Sequence, residues 1–264
     1  MDLKLKDKSV VVTGGGSNIG RAIVLGFAVE GAKITIADID IKQAEKVAEL
    51  ALKKGAAAVK VIRTDVTNLE QVTAMFAEVK ESVGAVDVLV NNVGWDMLMY
   101  FMKTTPEFWQ KVIQMNYVGV INCTRAALDI MIEQKSGAIV SISSDASRQG
   151  EPREAVYAGA KAAVNSFMKT IAKEYGRDGI RCNCVCPGVT IPDSTEQVGD
   201  NSMWVNVESM MTQAQLDTIA KTLPLRRFGR PDDLASAVAF LSSDAAGYIT
   251  GQVLSVSGGY SMIG

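Results

Sequence analysis

Short apolar runs rich in β-branched residues alternate with helical patterns from one end of this chain to the other. The runs are Ser9 to Thr13, Lys33 to Asp38, Val59 to Asp65, Val86 to Asn92, Ala138 to Ser143, Ile180 to Cys186 and Val253 to Ser257. Between them, apolar positions recur at helical spacing through Ile19 to Ala32, Ile41 to Ala56, Leu69 to Gly84, Glu107 to Gln134, Tyr157 to Tyr175 and a stretch after Pro231. A strand that is apolar on both faces needs cover on both, and a helix between successive strands supplies it. The pattern predicts an α/β fold whose seven strands form a parallel sheet with helices on either side.

The rhythm lapses between Val189 and Leu223, a segment holding Pro192, Gly199 and an apolar group of Met203, Trp204, Met210 and Met211. A long excursion after a strand's C-terminal end lies where open α/β sheets bind ligands, so residues 190–222 are expected to cover a substrate. The competing reading is a helix pair that packs its Met and Trp side chains into the core. No linker, repeat or low-complexity tract divides the 264 residues, and a single domain is expected.

Composition narrows the chemistry. A formal net charge of -2 gives no broad positive field for nucleic acid or an acidic membrane, which points to a small-molecule partner. The first residues, MDLKLKDKSVVVTGG, carry charges within the first ten positions and no long apolar stretch, so neither a signal peptide nor a spanning helix is expected there, and a cytoplasmic location is expected. There is no histidine, which excludes an imidazole base, a Ser-His-Asp triad and any His-containing metal site. Cys182, Cys184 and Cys186 alternate along one strand and share a face. With no evident fourth ligand they read as buried, reduced, small apolar residues, and no metal is expected.

The first apolar run leads into Thr13-Gly14-Gly15-Gly16-Ser17-Asn18-Ile19-Gly20 and then an amphipathic helix. In that context glycines let the backbone approach a pyrophosphate at a helix N-terminus. A tight strand-to-helix turn would need glycine for conformational reasons alone. Asp38, at the end of the second run, reduces the ambiguity: a carboxylate there accepts from a ribose diol and repels a 2′-phosphate, which favours NAD over NADP. Asp38 could instead cap the following helix, a role open equally to Asp40.

Tyr157 and Lys161 stand at i and i+4 on one helix face, with Ser144 thirteen residues before the tyrosine. A phenol beside an ammonium can act as a base where no histidine exists. These residues occur in the order Thr13-Gly14 to Gly20, Asp65, Asn91-Asn92-Val93-Gly94, Asn116, Ser144, Tyr157 with Lys161, and Pro187-Gly188. The ordered set resembles the short-chain dehydrogenase/reductase family over essentially the whole chain.

The resemblance implies a Rossmann-type doubly wound sheet and an NAD-dependent secondary-alcohol dehydrogenase or ketoreductase, assembled as a homotetramer or dimer. It implies Asn116, Ser144, Tyr157 and Lys161 as catalytic residues, with Asn116 positioning a water that links Lys161 to solvent. Gly14, Ser17, Asn18 and Ile19 would line the cofactor's pyrophosphate turn, with Asp65 and Val66 by the adenine. Asn91 would steady the fourth strand. Asn92, Gly94, Tyr157 and Lys161 would also contact the cofactor, and Pro187, Gly188, Val189 and Thr190 would meet its nicotinamide. Two positions depart from the family pattern: Asn18 replaces a motif glycine, and Val93 an alanine. Asparagine tolerates the left-handed backbone better than other residues with side chains.

Segments Asn92 to Asp96, Ser144 to Arg148, Glu154 to Ala158 and Gly251 to Gly259 resemble a branch acting on 2-hydroxycyclohexanecarboxyl-CoA and related ring acyl-CoA thioesters. That branch implies a cyclic or aromatic β-hydroxyacyl-CoA oxidised to its β-oxoacyl-CoA. Trp95, Met203 and Trp204 would form an apolar wall, and Arg148 and Arg153 would hold a CoA phosphate or a carboxylate. The arginines could instead pair with Glu151 and Glu154 at the surface. Two other readings remain: a catalytically idle subunit in a hetero-oligomer with a related chain, and a 3-oxoacyl carrier-protein reductase.

Overall fold

Every residue of strand β1 (Ser9–Thr13) is buried, because the strand lies inside a sheet and both its faces are covered. The computed structural model describes residues 2–192, 194, 197–199 and 212–263. Its strands continue with β2 (Lys33–Asp38), β3 (Ala58–Arg63), β4 (Val88–Asn91), β5 (Gly137–Ile142), β6 (Ile180–Pro187) and β7 (Val253–Val256). All seven pair in parallel in the order β3-β2-β1-β4-β5-β6-β7, the doubly wound Rossmann-type arrangement. The strand order reverses between β1 and β4, and the C-terminal ends of the strands at such a switch point are where open α/β sheets bind ligands.

Alternation along each strand divides the core in two. Val10 and Val12, Ile34 and Ile36, Val88 and Val90, and Ala138 and Val140 join one cluster. Helices α1 (Asn18–Val29), α2 (Ile41–Lys54) and a late helix at Pro231–Ser242 cover it through Ile23, Phe27, Val47, Leu234 and Val238. Val11, Leu89, Ile139, Cys182 and Cys184 point the other way. They meet α3 (Leu69–Val83), α5 (Gly119–Gln134) and α7 (Ala155–Tyr175) through Met75, Phe76, Met131, Val164 and Met168. All four cysteines are buried and free, and burial pushes the Cys182 thiol up to about 12. This is the behaviour of small apolar residues.

The expected helix from Glu107 to Gln134 is three pieces. Helix α4 (Pro106–Ile113) starts with Pro106 in its first turn, behind Thr105, whose hydroxyl accepts from Phe108 N–H. A π-helical turn at Gln114–Val118 then leads into α5. Such a turn widens the helix by one residue, which periodicity over a long window does not reveal. Short α6 (Ala146–Gln149) precedes α7. In the late excursion α8 (Gln213–Ala220) is capped by Thr212 and Gln215 acting reciprocally, and the Pro231–Ser242 helix is α9. Met203, Trp204, Met210 and Met211 lie outside the described residues.

Candidate active site

The glycine-rich turn runs from β1 into α1. Gly14 has φ +63° and donates its N–H to Ala37 O at 2.8 Å. A Cβ on Gly20 would lie 2.0 Å from Gly14 O and 2.5 Å from Asn92 Nδ2, so only glycine lets the helix start close against the turn. Asn92 fastens this contact by donating Nδ2 to Thr13 O at 3.1 Å and Gly14 O at 3.0 Å. Asn18 adopts φ +45°, the left-handed conformation that its family counterpart would reach as glycine, and the turn closes with asparagine in place. Its Oδ1 is buried with no hydrogen-bond partner. Ser17 is the N-cap of α1, but its hydroxyl does not cap the helix and instead accepts from Gly199 N–H at 3.1 Å. Ile19 packs against the first core cluster.

Asp38 ends β2 beside this turn. Its Oδ2 accepts from Gly16 N–H at 2.9 Å and its Oδ1 from Asp40 N–H at 3.0 Å. Burial pushes its carboxyl up, against the backbone donors of Asp40, Gly16 and Ile39. The N-cap of α2 is Asp40, whose side chain accepts from Gln43 N–H at 3.0 Å, so capping does not explain Asp38.

On the other side of the switch point, Lys161 is only 2% exposed and donates Nζ to Ile142 O at 2.8 Å. Burial brings its ammonium down to about 8. Nζ stands 5.7 Å from the centre of the Tyr157 ring, one helical turn away on α7. The Tyr157 phenol is pushed up by burial and by the charge of Glu154, while its hydrogen bond with Ser144 works in the opposite direction. Ser144 also accepts from Ala146 N–H at 3.1 Å, which fixes its side chain at the end of β5. Gly94 closes the group: a Cβ there would lie 2.9 Å from Asn116 Oδ1 and 3.1 Å from Lys161 Nζ. Asn116 is fully buried in the π turn, accepting from Trp95 N–H at 3.2 Å and donating to Trp95 O at 2.7 Å and Val112 O at 2.8 Å. Its side chain thus ties the loop after β4 to the widened helix.

The remaining candidates fall nearby in several ways. Asp65 accepts through Oδ1 from both the N–H and the hydroxyl of Thr67, and buried Val66 accepts at its carbonyl from Asn122. Asn91 joins β4 to Thr124 and Ser141, each at 3.2 Å. Pro187 ends β6, Gly188 lies against Ser257 where a Cβ would be 2.8 Å away, Val189 is exposed, and Thr190 donates to Gly188 O at 3.2 Å. Trp95 turns toward α4, 5.8 Å from the Phe108 ring and beneath Lys111 Nζ at 3.7 Å. Arg148 is 4.0 Å from Asp145, a partner considered in neither sequence reading, while Arg153 donates to Leu98 O at 3.5 Å. Met203 and Trp204 are outside the described residues.

Two acidic residues join the site unannounced by the sequence. Asp96 is 4% exposed in the loop after β4, and its Oδ2 has no hydrogen-bond partner. Glu154 precedes α7 and its carboxyl is brought up to about 7 by burial and by the charges of Asp96 and Glu151. The charges of Glu154 and Asp96 also reach the Tyr157 phenol. The three-residue spacing of Glu154 and Tyr157 hinted at proximity, but nothing local linked either to Asp96.

The sheet order and the glycine-rich turn at its switch point are those of a dinucleotide-fold oxidoreductase. The family model described as enoyl-(acyl carrier protein) reductase matches residues 14–261. The chain belongs to this family, within the short-chain dehydrogenases/reductases, and is an enzyme of that class acting on a secondary alcohol or ketone. It is 38% identical to a 3alpha-hydroxysteroid dehydrogenase of Mediterraneibacter gnavus over 260 residues, covering 98% of each chain. It is 39% identical over 256 residues to the 3-oxoacyl-(acyl-carrier-protein) reductase FabG of Staphylococcus aureus, covering 97% of this chain and 98% of the other. The crystal structure of levodione reductase superimposes with a TM-score of 0.87 at 30% identity, covering 97% of this chain and 98% of that one. None of these names is that of a ring acyl-CoA dehydrogenase, so the comparisons show the family and not the branch expected from local segments. Among the described residues, no helix is long and apolar enough to cross a membrane.

Proposed function

We propose that this enzyme uses NAD to interconvert a 3-hydroxyacyl and a 3-oxoacyl thioester. The observation that carries the reading is the convergence of Ser144, Tyr157 and buried Lys161 at the sheet edge that also holds Asp38 and the glycine-rich turn. The thioester class joins the carrier-protein activity named for the Staphylococcus relative to the acyl-CoA resemblance of the local segments, and the former favours a carrier-protein thioester. Asp38 favours NAD, because a carboxylate at the end of β2 accepts from a ribose diol and repels a phosphate.

The turn fits a dinucleotide. Gly20 leaves no room for a Cβ, Asn18 Oδ1 is buried without a partner, and α1 opens with backbone N–H groups suited to an anion. Gly14, Ser17, Asn18, Ile19 and Asp38 would hold the cofactor's adenosine and phosphates, Asp65 and Val66 its adenine, and Asn92, Gly94 and Pro187 to Thr190 its remainder. Bound there, the nicotinamide supplies hydride acceptance in one direction and donation in the other. Tyr157 takes the carbinol proton in oxidation and returns it in reduction. Ser144 holds the substrate oxygen by hydrogen bonding. The Lys161 ammonium favours the phenolate; the expected substrate cover at 190–222 lies largely outside the described residues. The reading expects a homotetramer, or a hetero-oligomer with a related chain.

The test is NADH formation from 3-hydroxybutyryl thioesters of CoA and of acyl carrier protein, with a 3α-hydroxysteroid alongside. Turnover of a thioester supports the reading. Turnover of the steroid alone would move the substrate to the class named for the Mediterraneibacter relative and refute the thioester assignment.

A further inference from the structure

Asp96 and Glu154 approach Tyr157 from two different elements. Asp96 follows β4 two residues after Gly94, whose Cα lies close to Asn116 and Lys161. Glu154 stands at the N-cap position of α7, three residues before Tyr157, and its side chain caps nothing. The two segments are fastened together: Met99 N–H donates to Arg153 O at 3.0 Å, and Arg153 reaches back to Leu98 O at 3.5 Å. The fastening ties the loop that carries Asp96 to the segment that carries Glu154, the Asp96 charge reaches Glu154, and one Asp96 oxygen is buried and unpartnered.

Among the described residues no ion pair reaches Asp96, Glu151 or Glu154. Arg148 faces Asp145, and the exposed guanidinium of Arg153 is directed to a carbonyl. The groups facing Glu154 are Asp96 from the β4 loop, and Glu151 and Tyr157 from its own side; Tyr260 of the C-terminal segment donates its hydroxyl to Glu151. A wall of carboxylates therefore borders the phenol at which the carbinol must sit.

We propose that Asp96 and Glu154 determine specificity by rejecting substrates with a free carboxylate beside the reacting carbinol and admitting those whose acyl group is neutral. An acyl thioester is neutral at that position, whereas the corresponding hydroxy acid places a third negative charge against two that already lack a counter-ion. The inference rests on the proposed 3-hydroxyacyl reaction for where the carboxyl group would fall. Rejection strengthens with pH. With Glu154 titrating at about 7, the wall carries less charge below neutrality and more above it.

The pair to compare is 3-hydroxybutyrate and its methyl ester, equal in shape around the carbinol and different in charge. Binding to the chain with saturating NADH, where no turnover can occur, is measured by titration calorimetry at about pH 6 and about pH 8.5, and kcat/KM is measured separately with NAD. One charge opposing another across a few ångströms of a partly open site corresponds to about tenfold in affinity. The wild-type chain is expected to bind the ester at least about tenfold more tightly than the acid at the higher pH, with a smaller ratio at the lower. Glu154→Gln, at a half-buried position, and Asp96→Asn, close to isosteric, should each narrow the ratio and flatten its pH dependence. Equal binding of acid and ester by wild type at both pH values would overturn the proposal, as would failure to bind either. Ester binding without turnover would instead fault the proposed reaction and leave the wall standing, because binding is read independently of chemistry.

Discussion

Replacing Tyr157 with phenylalanine removes one oxygen from a helix otherwise unchanged, and the structure says what that oxygen must overcome. An ordinary tyrosine near pKa 10 is about 0.1% ionised at pH 7. Here burial and the Glu154 charge push the phenol further up, and among its neighbours the Ser144 hydrogen bond works against them. Bringing it down to act near neutrality requires more than the differential stabilisation of about 4 kcal/mol that a drop of about three units from an ordinary tyrosine would take. Lys161 supplies part: burial lowers it only to about 8, so near pH 7 it remains mostly cationic beside the Tyr157 ring. The rest must come from positive charge that arrives with the oxidised cofactor. Tyr157→Phe should therefore lower kcat/KM by about 100-fold or more, the usual loss for a general base, while cofactor affinity stays within about threefold. Steady-state NADH formation measures the first quantity and calorimetry the second. Oxidation needs the ionised phenol, so wild-type kcat/KM should rise with pH through an apparent pKa, and Glu154→Gln, by removing a negative neighbour, should move that pKa down. Tyr157→Phe turnover within about tenfold of wild type would refute the assigned base.

Other consequences follow from the cofactor turn. Asp38→Ala should raise kcat/KM for NADP relative to NAD by about tenfold or more, since a carboxylate opposing a phosphate is removed; an unchanged ratio would refute the ribose assignment. Asn18→Ala places a side chain without hydrogen-bonding capacity at φ +45° and should cost about 1 kcal/mol. Thermal unfolding would register this as a drop of about 2 to 4 °C, and Asn18→Gly should show no such drop.

Strand positions were legible because apolar β-branched runs need burial on both faces, and β1 and β2 end where the runs do. Asp38 and Asp40 were indistinguishable by sequence as caps; only the path of the chain into α2 gives the N-cap to Asp40. The π turn was hidden because one extra residue hardly disturbs apolar spacing over 28 positions from Glu107 to Gln134. Trp95 read as substrate wall because its place after β4 was visible, whereas its partners Phe108 and Lys111 depended on how α4 folds back. The joint approach of Asp96 and Glu154 to Tyr157 was hidden for the same reason: it is tertiary, set by hydrogen bonds between residues 98–99 and 153.

Whether this chain is an NAD enzyme in its own right is read by titrating the purified protein with NAD and with NADP in a calorimeter. The account predicts NAD binding in the micromolar to sub-millimolar range and markedly weaker NADP binding. Undetectable NAD binding, or tighter binding of NADP, would contradict it.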